Sequence, residues 1–422
     1  MNVFQNPNFR NVLIASAVSS VGDGFHSIAA MWWVKVHTGS DALVASVALA
    51  KGLTSVVLAP FAGALVDRYD RRTVMLYTNL TRGLIVALLA FLTMTEQLEP
   101  WTLIVSSAFL AALGTLFGPA FGASIPNIVG KENLAPANSS LQISGTLAGI
   151  AGPALGGLTV AAIGSGGAFL VDALSFVVSA LFILISKIPS PERVTATKTS
   201  SLFGDVGEGW RWLRGQRLMF GILVLALGLN FVIAPIQVLF PGYAKDVLMT
   251  DARGFGLLET GIPIGFLVGA VLLGVLKPKA IGAMITACMC AFGLLLVGVG
   301  LSRALPLSLG FLIVGGVALA LINISLSVVF QSRIPNEMQG RVFGVMQTLG
   351  GGLQPLGLAL APLLIALLGG IPNVIILIGA LTAVSGLSFL TLPGFLALRH
   401  DPTPASQGEE VSSPAASSAA AT

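Results

Sequence analysis

The chain has 422 residues, of which 55% are hydrophobic and 9% charged, with a formal net charge of +4 and a mean hydropathy of +0.91. So few polar groups cannot cover the surface of a water-soluble domain, so the composition excludes a soluble globular protein and predicts a polytopic membrane protein. In such a chain basic residues report topology first, and nothing points to a nucleic-acid partner. Cys288 and Cys290 stand two apart in an apolar run, face different ways on a helix and cannot bridge; no disulfide framework and no metal site is predicted.

Residues 1–10 are polar, and the apolar run at 11–36 is too long for the hydrophobic region of a signal peptide, so this first span is expected to stay in the bilayer. Runs at 41–66, 73–95, 101–129, 138–163 and 167–186 complete a first set of six, each long enough for the ~20 residues that cross a hydrocarbon core. In the linker at 187–216, Lys187, Arg193, Lys198, Arg211 and Arg214 stand among Ser, Thr and Pro, and Trp210 and Trp212 mark an amphipathic helix expected at headgroup level. A second set of six follows at 218–244, 255–276, 280–301, 306–331, 342–368 and 373–398, and a Ser/Ala/Pro-rich tail at 399–422 is expected to be disordered. The predicted fold is all-α and integral to the membrane: twelve transmembrane helices in two six-helix bundles, 1–186 and 217–398. Sixteen of the 22 Lys and Arg residues fall on one side of these spans, whereas Lys35, Lys245, Arg253 and Arg303 fall on the other, so both termini and the linker are expected in the cytoplasm.

The loop after the second span holds Gly63, Leu65, Asp67, Arg68, Asp70, Arg71 and Arg72. Orientation alone does not call for an acid beside three arginines. This pattern resembles the signature loop between the second and third helices of the major facilitator superfamily of transporters, with Asp70 where that family usually has Gly and free to pair with Arg71 or Arg72. In the fifth span, Gly145, Ala148, Gly149, Gly152 and Gly156 would let another helix approach closely, and Pro153 would let the helix bend. Gly152, Pro153, Gly156 and Gly157 resemble the Gly-Pro antiporter motif of the export branches, with Ala148 in place of its leading Gly. Ile125-Pro126-Asn127 and Ile334-Pro335-Asn336 end the fourth and tenth spans alike, as halves related in parallel would. Together with Phe9-Arg10, Gly22-Asp23-Gly24, the stretch 168–176 and Gly340-Arg341-Val342, the chain is similar to the bacterial drug/proton antiporter branch that includes macrolide and enterobactin exporters.

A charge at the centre of a membrane helix costs about 2.5 to 3.5 kcal/mol on insertion scales, so each needs a reason. Asp23 lies near the midplane of the first span and Lys51 at a similar depth in the second, where they either pair or face a water-filled cavity. His26, one turn from Asp23, could share its proton. Arg82 is placed to reach Asp67 or Asp23. Asp172 and Glu259 enter from the other side at shallow depth, where water or snorkelling would solvate them. Asp172 is equally readable as structural or coupling, and Glu259 lies on a helix weakened by Gly261 and Pro263. The resemblance implies a central cavity lined by the first, fourth, seventh and tenth spans. Phe25, Trp32 and Trp33 are its aromatic candidates, and Asn230, Gln237, Asn323 and Gln354 are polar candidates that also serve as interhelical glue.

No phosphate-cradling loop and no nucleophile–base constellation appears, so neither direct use of ATP nor an enzyme is expected. The expected function is proton-coupled export of an amphipathic or lipophilic small molecule, such as a drug or siderophore, by alternating access. The expected setting is the bacterial inner membrane, as a monomer with no cofactor beyond the proton gradient. Asp67 and Arg72 are expected to hold the cytoplasmic ends of the halves together. Proton-coupled nutrient uptake and uncoupled lipid translocation are the alternatives.

Overall fold

The computed structural model describes residues 3–66, 68–189, 202–276, 278 and 280–398. The first half holds α1 (Pro7–Thr38), α2 (Asp41–Val66), α3 (Arg71–Met94) and α4 (Pro100–Val129). The continuous stretch Leu134–Ile185 breaks at Gly164, where φ is 76° and ψ 173°, into α5 (134–163) and α6 (165–185). After a linker helix α7 (Leu202–Gly215), the second half comprises α8 (Arg217–Ile233), α9 (Ile236–Gly242), α10 (Ala252–Leu276), α11 (Ile281–Leu301), α12 (Leu305–Arg333), α13 (Asn336–Leu368) and α14 (Ile371–Ser388). Among the described residues eleven segments are long and apolar enough to cross a membrane, and one of them, Lys131–Ile185, has 55 residues, more than twice what one crossing needs. Gly24 of α1 packs on Gly152 of α5, and Gly22 packs on Asp172 and Ser175 of α6. Both arms reach the same level of α1 only if the chain folds back at Gly164, which makes twelve spans.

The φ and ψ of Gly164 belong to a region open essentially to glycine, and nothing lies within 4 Å of where its Cβ would be. A Gly164→Val change is therefore expected to cost about 1–3 kcal/mol through the backbone alone. A lowered midpoint of thermal unfolding in detergent checks this, and an unchanged midpoint would show that the turn relaxes.

The remaining helix ends are set by local chemistry. Asn6 caps α1, accepting from the backbone N–H of Asn8 and Phe9, and donates from its amide to Ile128 O at 2.7 Å, which ties the start of α1 to the end of α4. Asp70 accepts from the N–H and hydroxyl of Thr73, both at 2.8 Å. An acid where the signature loop usually has glycine thus serves as the N-cap of α3. Arg71 donates to Ala123 O at 2.7 Å, and Arg72 donates to the carbonyls of Ile183 and Leu184, so these cations bind the C-terminal ends of α4 and α6. Arg72, expected to join the two halves, here braces its own half. Its expected partner Asp67 lies outside the described residues, as do the tail at 399–422 and positions 190–201 of the linker.

The linker helix, expected at headgroup level, docks on the second half of the protein. Leu213 is fully buried, Trp210 meets Phe220 edge-on, Glu208 pairs with Arg341 at 2.8 Å, and Gly209 abuts the Arg341 carbonyl at the start of α13. The halves meet along two seams. Gly157 of α5 sits against Gly256 of α10, and Gly52 of α2 against Pro355 of α13. Going from these crossings toward the face that carries α7, the open flanks of Gly149, Gly145, Gly63, Gly344 and Gly340 have nothing within 4 Å. On the opposite face, Lys35 of α1 pairs with Asp246 just beyond α9 at 2.7 Å. The halves are therefore joined on the far face, and toward the α7 face these glycine flanks meet no described residue of the other half.

Candidate functional site

Two glycines place the first charge of the site. A Cβ at Gly22 would stand 2.5 Å from an Asp172 carboxylate oxygen, and one at Gly24 would stand 2.6 Å from the Gly152 Cα. Glycine at both positions lets α5 and α6 close on α1, and Asp23 between them is left on the flank of α1 that faces open space, its side chain 47% exposed.

That space is a cavity of about 380 Å³ formed by α1, α2, α3, α4 and α6. The first and fourth spans line it as expected, but none of the described residues of the second half does. Asp23, His26, Lys51, Arg82 and Asp172, brought together from five sequence positions, share its wall with Met31, Val47, Leu110 and Phe176. Arg82 Nη2 lies 2.5 Å from Asp23 Oδ1, one of its two expected partners, and the Arg82 guanidinium sits 4.3 Å over the Phe176 ring. Lys51 is exposed to the cavity, with no carboxylate in ion-pairing range among the described residues, so the Asp23–Lys51 pair is replaced by Asp23–Arg82.

The second acid is placed differently from its expected shallow, solvated position. Asp172 is 1% exposed and lies level with the middle of α1, because α6 begins at the Gly164 bend and packs against Gly22. Ser175 Oγ donates to its Oδ1 at 3.3 Å. Its Oδ2 faces His26 Nδ1 at 3.6 Å, and among the described residues these two buried atoms have no hydrogen-bond partner. His26, expected to serve Asp23, is turned instead to Asp172, with its ring 5.3 Å from that of Phe169. A carboxylate oxygen and an unprotonated imidazole nitrogen are both acceptors, and burial leaves neither with water. One proton between them is what would satisfy both.

The other candidates are elsewhere. Glu259 is half-buried on α10, one turn from Phe255, and has no ion-pair partner among the described residues. Phe25 is buried with its backbone against Gly156, Trp32 stacks on Phe255 at 6.1 Å, and Trp33 stacks on His37 at 4.4 Å. The first two contacts join α1 to α5 and α10, the third lies within α1, and none of these aromatics lines the cavity. Asn230 and Asn323 bond back to the carbonyls of Ala226 and Leu319, and Gln237 and Gln354 stand in the second half, away from it. Of the loop residues, Gly63 has open space beside it and Arg68 is exposed. Gly152 and Gly156 pack on α1, whereas Gly157 and the carbonyl of Pro153 pack on α10. Sequence reasoning missed Phe176 as the support of Arg82 and Lys35 as a buried ion-pair centre. A single lysine at the end of an apolar run was the only signal for the second.

Residues 1–398 match a family described as transmembrane secretion effectors. Over 365 residues the chain is 26% identical to macrolide efflux protein A of Streptococcus pyogenes, covering 84% of this chain and 88% of that protein. Over 362 residues it is 30% identical to multidrug efflux pump Tap of Mycobacterium tuberculosis, covering 83% and 85%. Its fold superposes on that of the nucleoside transporter NupG with a TM-score of 0.72 at 14% identity, over 93% of this chain and 99% of that one.

Proposed function

The chain belongs to the transmembrane secretion effector family of the major facilitator superfamily, and from that premise we propose that it exports an amphipathic or lipophilic small molecule in exchange for protons. It is a multi-pass membrane transporter and not an enzyme. In the proposed orientation the face that carries α7 is cytoplasmic, as the excess of basic residues there favours, and the cavity is open to the cytoplasm. Rocking of the two halves about the Gly157–Gly256 and Gly52–Pro355 crossings would turn it outward.

The observation that carries the coupling is the pair of buried acceptors, His26 Nδ1 and Asp172 Oδ2, beside the Asp23–Arg82 ion pair. With a proton between His26 and Asp172, Arg82 stays on Asp23. When that proton leaves, Asp172 is a buried anion, and Arg82, stacked one helical turn away on Phe176, is drawn toward it. Asp23 is then released to the cavity, where it can receive a basic or hydrogen-bond-donating group of the substrate. A returning proton restores the Arg82–Asp23 pair and displaces that group. Proton and substrate thus exclude each other, which is the condition for exchange rather than cotransport.

The test is purified protein in vesicles with an imposed pH gradient, reading accumulation of a fluorescent lipophilic dye. Accumulation that requires the gradient and collapses with a protonophore is expected, and accumulation indifferent to the gradient would refute proton coupling. Proton-driven uptake is a second reading, favoured by the concentration of charged groups in the first-half cavity. It predicts dye movement with the proton rather than against it in the same vesicles.

A further inference from the structure

A lysine ammonium that is only 2% exposed persists only with counter-charge at hand, and Lys35 has two. Its Nζ lies 2.6 Å from Asp41 and 2.7 Å from Asp246. The two acids differ in where they are anchored. Asp41 opens α2, six residues on in the same half, and its side chain is 18% exposed; Asp246 lies in the second half, and its side chain is 48% exposed. Lys245 reinforces the join by donating to the carbonyls of Lys35 and Val36 at the end of α1. Gly242 keeps the space clear, because a Cβ there would stand 2.7 Å from Asp41 Oδ1 and 3.2 Å from the Lys35 ammonium.

We propose that Lys35 is the clasp of the outer gate, with Asp41 as its permanent counter-ion and Asp246 as the partner it releases when the halves part on the outer face. The proposal rests on the alternating-access reading given above. If the halves separate on this face, Lys35 and Asp41 move together, so the ammonium remains paired throughout. Asp246, already half exposed, returns to water at little cost. Without Asp41 the same opening would leave the ammonium only the Gly39 carbonyl, at 3.4 Å, and no counter-charge. The two acids on one lysine therefore bias the gate in opposite directions. Loss of Asp246 should open the outer face, and loss of Asp41 should hold it shut.

The test uses the full chain with Cys288 and Cys290 changed to alanine and a single new cysteine, Ala252→Cys, at a position that is 2% exposed beside the Gly157 crossing. Its rate of labelling by a membrane-impermeant maleimide applied from outside reports the outward-open population. Asp246→Asn is expected to raise that rate about tenfold, Asp41→Asn to lower it about tenfold, and Asp246→Glu to leave it near that of the parent. Folding is followed in parallel by thermal unfolding of each purified variant. Rates that move in the same direction for Asp41→Asn and Asp246→Asn, or that do not move, overturn the clasp. Dye export is measured separately, so opposite shifts without export would fault the assigned transport and leave the clasp standing.

Discussion

Asp172→Asn is expected to abolish concentrative export, bringing the accumulation ratio of dye in vesicles down to about one, while downhill exchange of the same dye continues. The amide keeps the shape of the carboxylate and can still meet Ser175 and His26, so the α1–α6 contact at Gly22 should hold and the protein should remain folded. What it loses is the ability to take up and give back a proton facing His26 Nδ1, so the dependence of exchange on pH should flatten. Asp23→Asn should behave differently. It removes the carboxylate that holds Arg82, a guanidinium that is 9% exposed, and breaking a fully buried pair costs about 3–5 kcal/mol. The cost here should be smaller, because Asp23 faces the cavity and water can replace it. Asp23→Asn should therefore lower the unfolding midpoint and weaken dye binding, yet keep its remaining export sensitive to a protonophore. The reverse result, with Asp23→Asn uncoupled and Asp172→Asn still concentrating dye, would return the proton to Asp23.

That exchange of roles shows where the sequence stops being legible. Composition and the length of each apolar run fix the class and the spans, because the bilayer imposes one length and one polarity on every crossing. The small residues of α5 were readable as a site of close approach, whereas the glycines flanking Asp23 entered only through the resemblance, and their contacts with α5 and α6 came from the structure. Partner choice among buried charges was not readable. Asp23, Lys51, Arg82 and Asp172 lie at comparable depths on different helices, and depth along a span says nothing about rotation around it. The fold-back at Gly164 sets α6 beside α1, with Asp172 against Gly22 and its Oδ2 3.6 Å from His26 Nδ1. The aromatic candidates failed for a related reason. Trp32 and Trp33 are adjacent, face different neighbours, and are each claimed by another ring, Phe255 or His37. Even the departure from the signature loop at Asp70 had a local use, as the cap of α3, that charge pairing alone did not suggest.

The small residues of α5 divide into two groups with separable effects, and substitution by leucine should tell them apart. Gly152 and Gly156 face α1 within the first half, where added Cβ atoms would stand 2.9 Å from Val21 O and 3.0 Å from the Phe25 Cα. A branched side chain at either site must push α5 away from α1, the helix that carries Asp23 and His26, and overpacking of that kind costs about 1–3 kcal/mol or more. Gly152→Leu and Gly156→Leu are thus expected to give little folded protein, read as loss of a monodisperse peak in size exclusion. Gly157 faces the second half instead, with its Cβ direction 2.5 Å from Ala252 O and 3.0 Å from the Gly256 Cα. Leucine there leaves each half intact but wedges the crossing that closes the far face. Gly157→Leu should therefore fold, label Ala252→Cys faster from outside than the parent does, and transport no dye, while Gly157→Ala should show the same changes to a smaller degree. Normal export by Gly157→Leu would remove that crossing from the transport cycle. A well-folded Gly152→Leu would show that α1 and α5 tolerate separation and that the charge cluster does not depend on their contact.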